Sequence, residues 1–194
     1  MEQKAIIFHG TGGNPGVAWY PWLAARLTAR GYAVEVPHYP GLNVEPIDAF
    51  LPRVLAAHEF DPQTVLIGHS GGAALLLAIL ERVAVDQAFL VAGYCTQPNT
   101  EDEPVLRPSY DWDAIRANVR DPYFINSASD PYGCDATQGR AMFDRVGGTQ
   151  IVRNDGHFGD YNQTYDEFPL LDGLIRPQLA GGGVASGGTI ESTT

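Results

Sequence analysis

Ala5-Ile6-Ile7-Phe8, Thr64-Val65-Leu66-Ile67 and Gln87-Ala88-Phe89-Leu90-Val91-Ala92 are short apolar runs closed by turn residues. Such runs predict strands covered on both faces. Tyr32-Ala33-Val34-Glu35-Val36, ended by Pro37, Pro122-Tyr123-Phe124-Ile125-Asn126 and Thr149-Gln150-Ile151-Val152 predict three more. Between them the period changes. Residues 19–30 set Trp22, Leu23, Arg26 and Leu27 at helical spacing, with Gly31 as the stop. Further helices are expected at 47–58, bent by Pro52, at 73–80, at 111–116 with an acidic first turn, and at 137–146. A last one is expected at 168–179 with Pro169 in its first turn. Residues 93–109 form the longest irregular stretch.

Strand alternating with helix predicts an α/β fold: about six strands in a mostly parallel sheet, helices on both faces. No internal repeat appears, so residues 1–179 read as one domain. Residues 180–194 are rich in Gly, Ser and Thr, bury too little to offset their ordering entropy, and are expected to form a tail.

Charge narrows the range of partners. The net charge is −11 and Lys4 is the single lysine, so the surface repels phosphate backbones and anionic membranes. No nucleic-acid or membrane partner is expected. Cys95 and Cys134 lack metal-ligand spacing and predict two free thiols and no metal. The first strand begins too early for a signal leader, and the longest apolar run, 73–80, is too short to span a bilayer. A cytoplasmic location is the expectation.

Gly68-His69-Ser70-Gly71-Gly72 stands between a predicted strand and a predicted helix. Strand, G-x-S-x-G, helix is the context in which a serine sits on a sharp strained turn with its hydroxyl clear of the sheet. Side chains at Gly68 or Gly72 are expected to collide with the neighbouring elements. Catalytic groups in open α/β sheets gather beyond the carboxyl ends of the strands. There the chain supplies His9-Gly10-Thr11-Gly12, Ser70, Tyr94-Cys95, Asp130 and His157, in successive loops. Ser70 needs a base, His157 can serve as one, and Asp130 can hold its tautomer. The backbone N–H groups of Thr11 and Gly71 are the expected oxyanion donors. His9 and His69 are expected to orient loops; His38 and His58 show no tie to Ser70. Asp155 lies too close in sequence to His157 to reach its ring, and Asp135 and Asp160 read as capping or solvated. Tyr94 and Phe158 are the expected pocket residues. Gly10-Thr11-Gly12 lacks the third glycine of a dinucleotide fingerprint, and neither a P-loop lysine nor a zinc His-Glu-x-x-His occurs, so no cofactor is predicted.

His9-Gly10-Thr11-Gly12-Gly13-Asn14-Pro15, Gly68-His69-Ser70-Gly71-Gly72, Ser129-Asp130-Pro131 and Gly156-His157-Phe158 together resemble the small serine hydrolases related to retinoblastoma-binding protein nine. The resemblance extends to about Leu179. It implies a compact α/β-hydrolase without a lid or the first two strands of the larger fold. Carried over residue by residue, it implies a triad of Ser70, Asp130 and His157. Trp19, Tyr20, Trp22, Tyr110 and Trp112 match the family's aromatics. Gly71 replaces a serine of the human relative, and no Leu-x-Cys-x-Glu segment is present, so a retinoblastoma-type partner is not implied. Two functions follow as expectations. One is a metal-free serine hydrolase acting on a small carboxylic ester, thioester or amide. The other is a binding protein that keeps the constellation without useful turnover.

Overall fold

Ala5, Ile6 and Ile7 have no solvent exposure, as a strand covered on both faces requires. In the computed structural model, which describes residues 3–159 and 163–176, they lie in β1 (Gln3–Phe8). The other strands are β2 (Tyr32–Glu35), β3 (Val65–His69), β4 (Val85–Val91), β5 (Val119–Ser127) and β6 (Thr149–Arg153). Every pairing is parallel, in the order β2-β1-β3-β4-β5-β6. The sheet expected as mostly parallel is thus wholly parallel among the described residues.

The helices are α1 (Tyr20–Ala29), α2 (Ile47–Ala57), α3 (Gly71–Leu80), α4 (Trp112–Asn118), α5 (Ala136–Val146) and α6 (Pro169–Leu174). Their contacts fall into two groups: α1 packs on α6, while α2, α3, α4 and α5 touch in sequence. That division follows from the strand order. Right-handed crossovers that leave β1 for β2 and then return for β3 put their helices on opposite faces. Each residue of α3 is buried, which explains a helix with no polar side: β3 and β4 cover it beneath, α2 and α4 at its flanks. Pro52 is accommodated within α2.

The last helix is shorter than the pattern predicts. α6 ends at Leu174, and Ile175 is already extended, with φ −74° and ψ 110°. The sequence explains the stop, because the residue before Pro177 is disfavoured in the α region. The segment around the end of α6 is tied down by side chains: Gln87 accepts from the Arg176 N–H at 3.1 Å, and Arg30 donates to Asp172 at 2.9 Å. The tail expected at 180–194 lies outside the described residues. No helix among the described residues is long and apolar enough to cross a membrane.

The strand order reverses at β1 and β3. A crevice therefore opens beyond the carboxyl ends of these two strands, where the His9-Gly10-Thr11 loop and Ser70 emerge.

Candidate active site

Ser70 joins β3 directly to α3 with φ 54° and ψ −120°, a region that side chains other than glycine rarely occupy. The turn is held from both sides, since Ser70 N–H donates to Val91 O at 2.9 Å and Ser70 O accepts from Ala74 N–H at 3.0 Å. The flanking glycines are steric necessities. A Cβ on Gly68 would lie 2.5 Å from Gly72 O, and one on Gly72 would lie 2.5 Å from both Phe8 O and His9 O. These are backbone atoms of α3 and of the end of β1, the two neighbours that the sequence pattern implied. Gly10 packs as closely: a Cβ there would stand 3.3 Å from Ser70 Cβ.

His157 and Asp130 meet across the loops that follow β6 and β5. His157 Nδ1–H donates to Asp130 Oδ2 at 2.7 Å, which leaves Nε2 as the acceptor nitrogen of a neutral ring. The Asp130 side chain has no exposure and the His157 side chain 7%. The other carboxylate oxygen, Oδ1, accepts from Tyr132 N–H at 2.8 Å and from Cys134 N–H at 3.3 Å, so the acid cannot swing away. The His157 loop has positive φ at Gly156, Phe158 and Gly159, and Phe158 is the strained one, since the two glycines adopt that region freely. The loop is clamped where Trp19 Nε1–H donates to Phe158 O at 3.0 Å. Tyr132 stands edge-on to His157, ring centroids 4.7 Å apart.

Ser70 and His157 line one cavity of about 610 Å³, together with Gly10, Thr11 and Tyr94. Their side chains make no direct hydrogen bond to one another among the described residues. Such contacts in unliganded sites are commonly loose and tighten with substrate. Thr11 faces Gly71: a Cβ built on Gly71 would run into Thr11 Oγ1 and lie 3.4 Å from Thr11 N. Any side chain at position 71 would have to displace that hydroxyl. Thr11 Oγ1 accepts from Asn43 Nδ2 at 3.0 Å, and Asn43 Nδ2 also donates to Glu103, which accepts from Tyr94 OH too. Burial and the neighbouring Glu103 push the Tyr94 phenol well above its usual range, so it stays a donor.

His69 links the two halves of the cavity. Its Nε2–H donates to His157 O at 2.7 Å, so Nδ1 is free to accept from Tyr20 OH at 2.6 Å. Tyr20 in turn accepts from Gly10 N–H at 3.3 Å. His9 acts similarly, with Nδ1–H donating to Gly10 O at 2.7 Å and Nε2 accepting from Tyr39 N–H at 2.9 Å. Burial holds the His9 ring below the usual imidazole range, against the raising effect of the Gly10 carbonyl.

The remaining residues fall elsewhere. His58 is bound by Glu35 and Tyr39, and Tyr39 N–H in turn donates to His9. Asp155 accepts from Arg153 at 2.9 Å and Tyr165 at 3.0 Å; Asp135 caps α5 through Thr137 N–H at 2.8 Å. Asp160 lies outside the described residues. Tyr94 is in the cavity wall, but Phe158 is not: its ring is fully buried, stacked on Phe168 with centroids 5.4 Å apart. Positive φ at Phe158, 56°, turns the side chain into the core while His157 faces the cavity. Of the five aromatics matched by resemblance, Tyr20 lines the cavity and Trp19 belongs to the core. Three residues escaped the sequence reading. Asn43 and Glu103 sit on irregular segments with no motif; Cys134 lies beside Asp130 and His157, its thiol pushed up by burial and by the Asp130 and Glu103 charges. Asn43 carried one faint signal, being a residue type that tolerates the positive φ of 58° it adopts.

Comparison with known proteins agrees with this architecture. The model of the alpha/beta hydrolase family matches residues 5–176. Serine hydrolase RBBP9 of Rattus norvegicus is 29% identical over 136 residues, 66% of this chain and 73% of that protein. The ydeN gene product of Bacillus subtilis is 27% identical over 99 residues, 48% of this chain and 52% of that protein. Its crystal structure matches with a TM-score of 0.80 at 22% identity, over 89% of this chain and 96% of the other. Est1E from Butyrivibrio proteoclasticus, solved with ferulic acid bound, matches with a TM-score of 0.59 at 14% identity, over 82% of each chain. At these identities the structural likenesses speak for the fold alone.

Proposed function

Given that the chain belongs to the alpha/beta hydrolase family, we propose that it is a serine hydrolase cleaving a small carboxylic ester, thioester or amide through an acyl-enzyme. One observation carries this reading. Ser70, on a strained turn at the start of α3, shares an open cavity with a histidine whose far nitrogen is held by a buried aspartate at 2.7 Å.

In this reading Ser70 Oγ attacks the acyl carbon while its proton passes to His157 Nε2. The charge that develops on the carbonyl oxygen is met by the N–H groups of Thr11 and Gly71, at the N-terminal end of α3. Collapse of the tetrahedral species breaks the bond to the leaving group, which takes the proton from His157. Water then enters by the same route in reverse and releases the acid. Asp130 keeps the Nδ1–H tautomer and steadies the imidazolium between the two proton transfers. The cavity is open to solvent, as turnover of an external substrate requires, and is not filled by aromatic side chains.

A fluorophosphonate probe tests the proposal. Covalent labelling at Ser70, and loss of ester turnover in Ser70→Ala with the fold intact, are expected. Folded protein that neither labels nor hydrolyses short chromogenic esters refutes it.

A further inference from the structure

We propose that Asp130, Cys134 and His157 form a binding site for a divalent transition metal ion, Zn²⁺ foremost, and that occupying it switches off the chemistry of the cavity. The binding stands on the side-chain geometry alone; the switching rests on the serine-hydrolase reading above.

The three residues offer one carboxylate oxygen, one sulfur and one imidazole nitrogen, all within 4.8 Å of one another. Zn²⁺ bound tetrahedrally at about 2.0–2.3 Å keeps its ligand atoms roughly 3.3–3.8 Å apart. The cluster needs to close by about 1 Å, a side-chain adjustment. The mixed donor set of sulfur, nitrogen and oxygen suits zinc and cobalt, and disfavours calcium and magnesium, which take oxygen only.

The backbone holds the donors at this spacing. Asp130 and Cys134 belong to one turn after β5, where Cys134 N–H donates to Asp130 Oδ1 at 3.3 Å. Buried Asn126 donates to Cys134 O at 2.9 Å and fixes the turn from below. His157 arrives from the loop after β6. Cys134 and His157 both line the cavity, which gives the ion a route from solvent and leaves room for water as a fourth ligand. Cysteine spacing along the chain could not reveal such a site, because one ligand lies four residues from Cys134 and the other 23 residues away, across α5 and β6.

The proton balance explains the switching. On binding, the Cys134 thiol proton goes to solvent and the thiolate ligates. The metal takes Nδ1 of His157, which now donates to Asp130, so the neutral ring carries its proton on Nε2 instead. In that tautomer Nε2 is a donor and cannot accept the proton of Ser70. Inhibition thus follows from the histidine's proton, even though the cavity stays open to substrate.

The test uses the untagged full chain. Ser70→Ala is titrated with Co²⁺, and a sulfur-to-cobalt charge-transfer band saturating at one ion per chain is expected. The band should vanish in Ser70→Ala/Cys134→Ser, vanish in Ser70→Ala/His157→Ala should the first variant fail to fold, and persist in Ser70→Ala/Cys95→Ser. Zn²⁺ should displace the cobalt and, in the unsubstituted protein, slow fluorophosphonate labelling of Ser70 at least tenfold, reversed by chelator. Absence of the band, or its survival without Cys134, overturns the site. Saturating Zn²⁺ that leaves labelling unchanged overturns the switching. Failure of Ser70 to label even without metal overturns the hydrolase reading, and the cobalt spectrum still decides the site.

Discussion

His69 Nε2–H donates to the main-chain oxygen of His157 at 2.7 Å, so the residue beside the proposed nucleophile fixes the loop of the proposed base. The same ring accepts from Tyr20 OH, which reaches Gly10 on the oxyanion side. His69→Leu keeps the bulk and removes both bonds. Misplacement of reacting groups by about 1 Å can cost on the order of 100-fold, so kcat should fall by about 10- to 100-fold while KM moves little. Steady-state kinetics on a short ester decides this; a variant with unchanged kcat assigns the bond to folding alone.

Asp130→Asn is expected to preserve the fold and lower kcat by about 10⁴, because the amide stabilises the wrong tautomer of His157. Asp155 bonds Arg153 and Tyr165 instead, so Asp155→Asn should stay within about threefold of the unsubstituted rate. The reverse order of effects in side-by-side assays would exclude Asp130 as the acid.

Two glycine-to-alanine changes should differ in sign. At Gly72 the new methyl meets two backbone oxygens at 2.5 Å, and neither β1 nor α3 can give way; about 3 kcal/mol of destabilisation is expected. At Gly173, inside α6, nothing stands within 4 Å, and alanine should stabilise by about 0.5–1 kcal/mol. Urea unfolding midpoints measure both.

Stability should decline on mild acidification through His9. Its folded-state pKa lies below 6.5, mainly because burial disfavours the charged ring. As pH falls through about 6.5 the unfolded chain takes up this proton first, so the unfolded state is favoured. The contribution is whole above that pH, and it is lost down to the folded value. A protonated ring also sets two donors against one another at Tyr39 N–H. Melting temperatures recorded from pH 8 to 5 should drop, and His9→Asn should show a lower start but a shallower slope.

Glu101, Asp102, Glu103 and Asp166 line the cavity, and no lysine or arginine among the described residues does. Esters bearing a terminal carboxylate should therefore show kcat/KM about tenfold below uncharged isosteres at low ionic strength. Added salt should narrow the gap. Equal rates at low salt would mean that these carboxylates do not reach the substrate.

The strands and most helices were legible because each apolar run is short and closed by turn residues, and β1, β3 and β4 are covered on both faces. The G-x-S-x-G turn was legible because glycine at 68 and 72 has a steric cause that sequence context carries. Side-chain direction was not. Phe158 adjoins His157, yet its positive φ turns it into the core, and nothing in Gly-His-Phe-Gly signals that. Asn43 and Glu103 escaped for a different reason: they meet through 60 residues of separation on segments without periodicity. The final helix was overextended because the expectation ran through Pro177 to Leu179, although the residue before a proline is disfavoured in the α region.

The segment that joins β4 to α4 leaves the sheet at Val91 and rejoins regular structure at Trp112, and it meets the rest of the cavity wall at two places, Glu103 with Asn43 and Asn99 with Tyr132. Ser70, Asp130, His157, Thr11 and Gly71 all sit outside it. This loop is therefore a brace shared by both sides of the cavity: through Asn43 it steadies Thr11, and through Asn99 it holds the turn that carries Asp130. A cut anywhere along it would loosen both sides at once.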